Sequence, residues 1–136
     1  MKTFTEILNE AAKEVNEIDI FHLKKLLDED YQFKLIDIRE DNELLNGKIN
    51  TPQQIGRGVL EKNIEANAPD REEEIILYCA GGVRSILGCK SLQDMGYKKV
   101  YSLRGGIGEW INADFPLVPN DKVVWKTEDL SLFVLK

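Results

Sequence analysis

The sequence has little cysteine, a single histidine and no long apolar run, and each shortage excludes a class of protein. Two cysteines, Cys79 and Cys89, are too few for a disulfide-stapled fold and fit a reducing compartment, so we expect a cytoplasmic location. No apolar run approaches the length of a bilayer span, and we expect no membrane partner. Residues 1–20 hold four glutamates and no apolar block before a cleavage site, so no signal peptide is expected.

Positive charge is also scarce. The 136 residues carry a net charge of -6, which argues against nucleic acid as a partner, because that partner requires a basic surface. The length suits one domain, and 43% hydrophobic with 31% charged residues is the composition of a globular protein.

Apolar spacing predicts strands that alternate with helices. The continuous apolar run of residues 75–78 is typical of a strand buried on both faces, as in a parallel sheet. Thr3 or Thr5 is a candidate cap for the first helix and Asp19 for the second. The pattern predicts an α/β domain with a mainly parallel central sheet flanked by helices. The predicted strands are 33–38, 74–79 and 98–103, and the predicted helices lie within 4–15, 19–27, 59–66, 85–95 and 105–115.

The stretch "LYCAGGVRS", residues 77–85, contains the main chemical signal. Cys79 ends a predicted strand, and ligands of parallel sheets bind at the carboxyl ends of strands. Gly81 and Gly82 allow the backbone to curl, so that successive N–H groups can surround an anion. Ser85 is expected to cap the next helix, whose N-terminus also favours a thiolate, and Arg84 adds positive charge. This pattern predicts a reactive cysteine rather than a buried structural one.

Four stretches in order resemble the rhodanese-like, single-domain sulfurtransferases. They are "LIDIREDNELLNGKI", "RGVLE", "PDREEEIILYCAGGVRS" and "LQDMGYKKVYSLRGGIGEW". The resemblance implies a rhodanese-like three-layer sandwich over residues 18–116. Residues 1–17 are then a helical extension, and residues 117–136 are a tail that we expect to pack on the domain.

The family's activity implies a mechanism for this chain. Cys79 would take a sulfur atom from a donor such as thiosulfate, hold it as a persulfide and pass it to a thiol or protein acceptor. No metal or other cofactor is implied. The residues expected to contact the substrate are the rest of the loop: Ala80, Gly81, Gly82, Val83, Arg84 and Ser85.

Several charged residues near these motifs have two interpretations each. Asp37 and Arg39 are expected to brace the loop, the alternative being an ordinary surface ion pair. Arg57 is a candidate substrate contact or a solvent-facing arginine. Arg84 either recognises the substrate anion or only tethers the loop to an acidic neighbour. Cys89 is either a resolving thiol or, as we favour, a buried helix residue.

Two other functions compete with sulfur transfer. The fold is shared by cysteine-loop phosphatases, but their loops place one residue more between cysteine and arginine than the four found here. A binding or regulatory module without turnover is the other alternative. The chain also reads "GKINTP" at 47–52 where the family usually reads Gly-His-Ile-Pro-Gly-Ala, and it has "QIGRG" where Ile-Pro-Arg-Gly is common, which leaves substrate preference open.

Overall fold

The core of the fold is a parallel five-stranded sheet, described here from a computed structural model covering residues 1–119. The spatial order of the strands is β1-β5-β4-β2-β3, and every pairing is parallel. The strands are β1 (Asn16–Ile18), β2 (Lys34–Asp37), β3 (Gln53–Gln54), β4 (Ile75–Tyr78) and β5 (Val100–Leu103), and the helices are α1 (Phe4–Glu14), α2 (Ile20–Asp28), α3 (Leu60–Asn67), α4 (Val83–Asp94) and α5 (Gly106–Asn112).

Helices cover both faces of the sheet, which confirms the predicted α/β architecture. On one face, alternate residues of β2 and β4 such as Ile36 and Leu77 pack with residues of α3 and α4. On the other face, Ile76 and Tyr78 pack with α2 and α5, where Trp110 is buried. Strand side chains alternate between the faces, so a strand between two helical layers is apolar throughout, as β4 is.

The helix starts follow local capping chemistry. Thr3 caps α1 because its hydroxyl accepts a hydrogen bond from the Glu6 N–H, and the Thr3 N–H donates in return to the Glu6 carboxylate, which completes a capping box. Asp19 accepts from the His22 N–H at the start of α2, as predicted. His22 itself is exposed, and Cys89 is fully buried in α4.

Other sequence predictions need correction. The helix after the cysteine loop begins at Val83 with Gly82 as its N-cap, so the prediction that Ser85 caps it is wrong. The short strands β1 and β3 and the 3-10 helices at Asp41–Asn46 and Arg57–Val59 were not predicted. The strand β1 includes residues on both sides of the boundary expected between residues 17 and 18, and the division of the chain at that boundary stays a prediction.

The C-terminal tail is described only at its start. Lys48 and Val118 form an isolated antiparallel bridge that joins residue 118 to the segment after the first 3-10 helix. The packing predicted for residues 120–136 lies outside the described residues. Among residues 1–119, no helix combines the length and the apolar character needed to cross a bilayer.

Candidate active site

The candidate site lies where connections leave β2 and β4, the two adjacent central strands. From β2 the chain continues to β3, at one edge of the sheet. From β4 it continues to β5, towards the other edge, so the two connections diverge in opposite directions along the sheet. Such a divergence at the carboxyl ends of parallel strands opens a crevice. Cys79 directly follows β4, and Asp37 ends β2.

Cys79 lies at the base of a tight loop and is 1% exposed. The Gly82 N–H donates to its Sγ at 3.2 Å, and the Ser85 Oγ lies 3.6 Å from Sγ. Gly82 has φ +98, and a Cβ there would lie 3.2 Å from the Gly105 N, so this turn favours glycine. Gly81 is exposed, and a Cβ at Gly81 would meet nothing within 4 Å, so the loop is open on that side.

Two helix N-termini support this loop. The α4 N-terminus begins beside Sγ, and the partial positive charge of its first N–H groups favours an anion there. The start of α5 holds the loop from behind, because the N–H groups of Ile107 and Gly108 donate to the carbonyls of Cys79 and Ala80, each at 3.0 Å. A Cβ on Gly106 would lie 2.5 Å from the Cys79 carbonyl oxygen, so this close approach requires glycine.

Asp37 and Arg39 form a buried pair. Asp37 is fully buried and Arg39 is 5% exposed, so the pair is not the surface contact of the alternative interpretation. The Arg39 Nη2 donates to Asp37 at 2.8 Å and to the Gly47 carbonyl at 2.9 Å, and its Nη1 donates to the Glu43 carbonyl at 3.0 Å. Arg39 thereby connects the end of β2 to the 3-10 helix Asp41–Asn46 and to the residue that follows it, Gly47.

Arg84 is held by Glu43, a residue that the sequence analysis did not single out. Its two terminal nitrogens donate to the two Glu43 carboxylate oxygens at 2.7 and 2.8 Å. These bonds lower the pKa of Glu43 to about 2. This geometry fits the tether interpretation of Arg84, and direct contact between Arg84 and a substrate stays a prediction.

Arg57 is also paired within the protein. Its Nη1 donates to both Glu61 carboxylate oxygens, at 2.9 and 3.0 Å, and the Ser91 hydroxyl donates to the same carboxylate. The Arg57 N–H donates to the Ile38 carbonyl, which places this residue beside the end of β2. Its role as a substrate contact stays a prediction.

The atypical segment 47–52 is anchored to the sheet. Ile49 is fully buried, and its N–H donates to the Tyr78 hydroxyl at 3.0 Å. Asn50 has φ +53, a left-handed conformation that asparagine adopts more readily than most residues. The residues that differ from the family's usual sequence therefore lie in a segment that Ile49 attaches to β4.

The cysteine thiols differ in their surroundings. Cys89 is fully buried in α4, and this burial raises the pKa of its thiol well above the usual range, which favours the protonated form. Within residues 1–119, no group of histidine, cysteine, aspartate and glutamate side chains has the arrangement of a metal site.

Together, the parallel five-stranded sheet and the buried cysteine in a glycine-containing loop at a strand end define an α/β domain with a strand-end cysteine site. The model of the rhodanese-like domain matches residues 22–113. The chain belongs to the rhodanese-like domain family.

The relatives include named sulfurtransferases. A sulfurtransferase of Allochromatium vinosum is 34% identical over 104 residues, which cover 76% of this chain and 95% of that protein. The polysulfide-sulfur transferase homodimer of Wolinella succinogenes superimposes with a TM-score of 0.74 at 26% identity, over 87% of this chain and 88% of that one. A Rhodopseudomonas palustris protein described as a possible tyrosine phosphatase superimposes with a TM-score of 0.79 at 30% identity, over 87% and 96% of the two chains. The likenesses to the Allochromatium vinosum and Wolinella succinogenes proteins support a sulfurtransferase-family role.

Proposed function

We propose that this protein is a sulfurtransferase that carries sulfane sulfur on Cys79, with thiosulfate or a persulfide as donor and a thiol or protein as acceptor. The observation that carries the proposal is the placement of the Cys79 Sγ beside the Gly82 N–H and the start of α4. Both features stabilise negative charge on sulfur. Cys79 and Cys89 are both free thiols, which is consistent with a protein that acts in a reducing compartment such as the cytoplasm.

The transfer has two steps. The Cys79 thiolate attacks the outer sulfur of thiosulfate and forms a new S–S bond, while the old S–S bond breaks and sulfite leaves with its electron pair. An acceptor nucleophile then attacks the outer sulfur of the Cys79 persulfide, and the Cys79 thiolate is regenerated as that S–S bond breaks. The backbone amides between Ala80 and Ser85 are proposed to stabilise the anionic persulfide, as an oxyanion hole stabilises oxygen.

The surrounding residues are proposed to keep this loop in shape. Asp37 and Arg39 fix the end of β2, and Glu43 holds Arg84, so the loop is braced on the side opposite α5. Because Cys79 is almost fully buried and Gly81 is open, the site accepts a narrow donor whose terminal sulfur enters over the glycine.

The phosphatase alternative is disfavoured by loop length. Four residues separate Cys79 from Arg84, one fewer than in phosphatase loops, so the ring of amides is too small for a tetrahedral phosphate. The description of the Rhodopseudomonas palustris relative nevertheless makes phosphatase activity a necessary comparison.

The test is the intact mass of the protein after treatment with thiosulfate and, separately, glutathione persulfide. We expect a gain of one sulfur atom that is absent in Cys79→Ser and present in the matched control Cys89→Ser. Cyanide should remove the added sulfur as thiocyanate. Hydrolysis of an aryl phosphate without sulfur uptake would support the phosphatase instead, and no adduct with either donor would support a binding module.

A further inference from the structure

Two buried serines lie beneath Cys79. Ser85 is in the first turn of α4, Ser102 is in β5, and both are fully buried. Their Oγ atoms are 2.7 Å apart. A hydroxyl removed from water costs free energy unless it is hydrogen-bonded, and each serine offers the other a partner.

The available hydrogens decide which serine donates. A serine hydroxyl has one hydrogen. The Ser85 hydroxyl donates to the Gly82 carbonyl at 3.1 Å, and that carbonyl can only accept. Either serine can donate in the contact at 2.7 Å; with the Ser85 hydrogen directed to the Gly82 carbonyl, Ser102 donates to the Ser85 Oγ, and the Cys79 thiol, at 3.6 Å, donates to the same oxygen.

Loss of the thiol proton reverses one of these bonds. The proton goes to solvent, and Sγ changes from a donor to a charged acceptor. The Ser85 hydroxyl can then rotate from the Gly82 carbonyl to Sγ. The carbonyl keeps a partner, because the Ile86 N–H also donates to it, at 3.4 Å. Ser102 continues to donate to Ser85 and strengthens the Ser85 O–H as a donor to the thiolate.

We propose that Ser102 is a positioning residue for Cys79, which acts by donating a hydrogen bond to Ser85 so that the Ser85 hydroxyl is free to stabilise the thiolate. Only the biological meaning of this inference rests on the proposed function, in which the Cys79 thiolate attacks the sulfur donor. The charge on Cys79 can be measured without sulfur transfer.

The test is the rate of Cys79 alkylation by iodoacetamide over a pH series. Ser102→Ala removes the hydrogen bond that Ser102 donates to the Ser85 Oγ. The Ser85 Oγ then has only the protonated Cys79 thiol as a donor, which favours the thiol over the thiolate. We expect alkylation near neutral pH to be slower by roughly threefold to tenfold, since a relayed hydrogen bond contributes a fraction of a charge-assisted one. At high pH, where the thiol is ionised in both proteins, the rates should converge.

Two further variants separate positioning from packing. Ser102→Thr keeps the hydroxyl and should restore the original pH profile, and Ser102→Ala should have no added effect in a Ser85→Ala background. An unchanged profile in Ser102→Ala, or a rate reduced by one factor at every pH, would overturn the inference. Sulfur uptake from thiosulfate is measured in parallel. Normal uptake with an unchanged profile defeats only the role of Ser102, whereas absent uptake in the unmodified protein defeats the proposed function.

Discussion

The contact between Glu43 and Arg84 is expected to make stability depend on pH in a defined range. The two side chains are 41 residues apart in sequence and meet through two short hydrogen bonds, at 2.7 and 2.8 Å. Glu43→Gln is the matched perturbation, because glutamine keeps the shape and one acceptor oxygen but removes the charge. That oxygen can still accept from the Glu40 N–H, as Glu43 does.

The magnitude follows from the pKa of Glu43. Hydrogen bonds from Arg84 are the largest cause of a decrease from 4.5 to about 2. That difference corresponds to about 3.4 kcal/mol. Both side chains are about a third exposed, at 34% and 29%, so solvent screening reduces the expected contribution to about 1–2 kcal/mol.

The sign of the pH dependence is set by the direction of the pKa change. Because the pKa is lower in the folded protein, the contribution is complete above about pH 4.5 and is lost as the pH falls towards 2. Urea unfolding at a series of pH values should therefore show Glu43→Gln less stable than the unmodified protein at neutral pH, with the difference shrinking below pH 4.5.

The control for this measurement is Glu10→Gln. Glu10 pairs with Lys2 on the surface, with both side chains more than half exposed, and its removal should change stability little. A Glu43→Gln loss that is equal at acid and neutral pH, or no larger than that of Glu10→Gln, would refute the reasoning.

Three further predictions concern the same site. Iodoacetamide near neutral pH should label Cys79 and spare Cys89 until the protein is unfolded, since burial raises the pKa of the Cys89 thiol; mass mapping that finds Cys89 labelled in the folded protein would contradict this. Gly106→Ala should destabilise the protein by about 2 kcal/mol or more in urea unfolding, because its Cβ would lie 2.5 Å from the Cys79 carbonyl oxygen, whereas Gly81→Ala, with open space, should fold normally. Arg39→Ala should cost about 3–5 kcal/mol by leaving the buried Asp37 carboxylate unpaired, and a loss below 1 kcal/mol would show that the pair does not brace the loop.

Local sequence patterns were sufficient for the longer elements. The helices α1 and α2 have capping residues and an apolar stripe within a single stretch of chain, and β4 is apolar throughout. The strands β1 and β3, with three and two residues, are too short to show a period. They form because neighbouring strands offer partners, and those partners are distant in sequence.

The sequence by itself determined the candidate reactive centre: a cysteine at a strand end, two glycines that allow a tight turn, and four residues before the arginine. Those features are local, because they depend on backbone freedom and residue spacing within one loop. Tertiary structure decided what surrounds the cysteine. It directed Arg84 to Glu43, buried Asp37 with Arg39, and placed Ser102 against Ser85. The pairs Arg84–Glu43 and Ser85–Ser102 join segments that are adjacent only after the parallel sheet has formed, so no spacing within either segment predicts them.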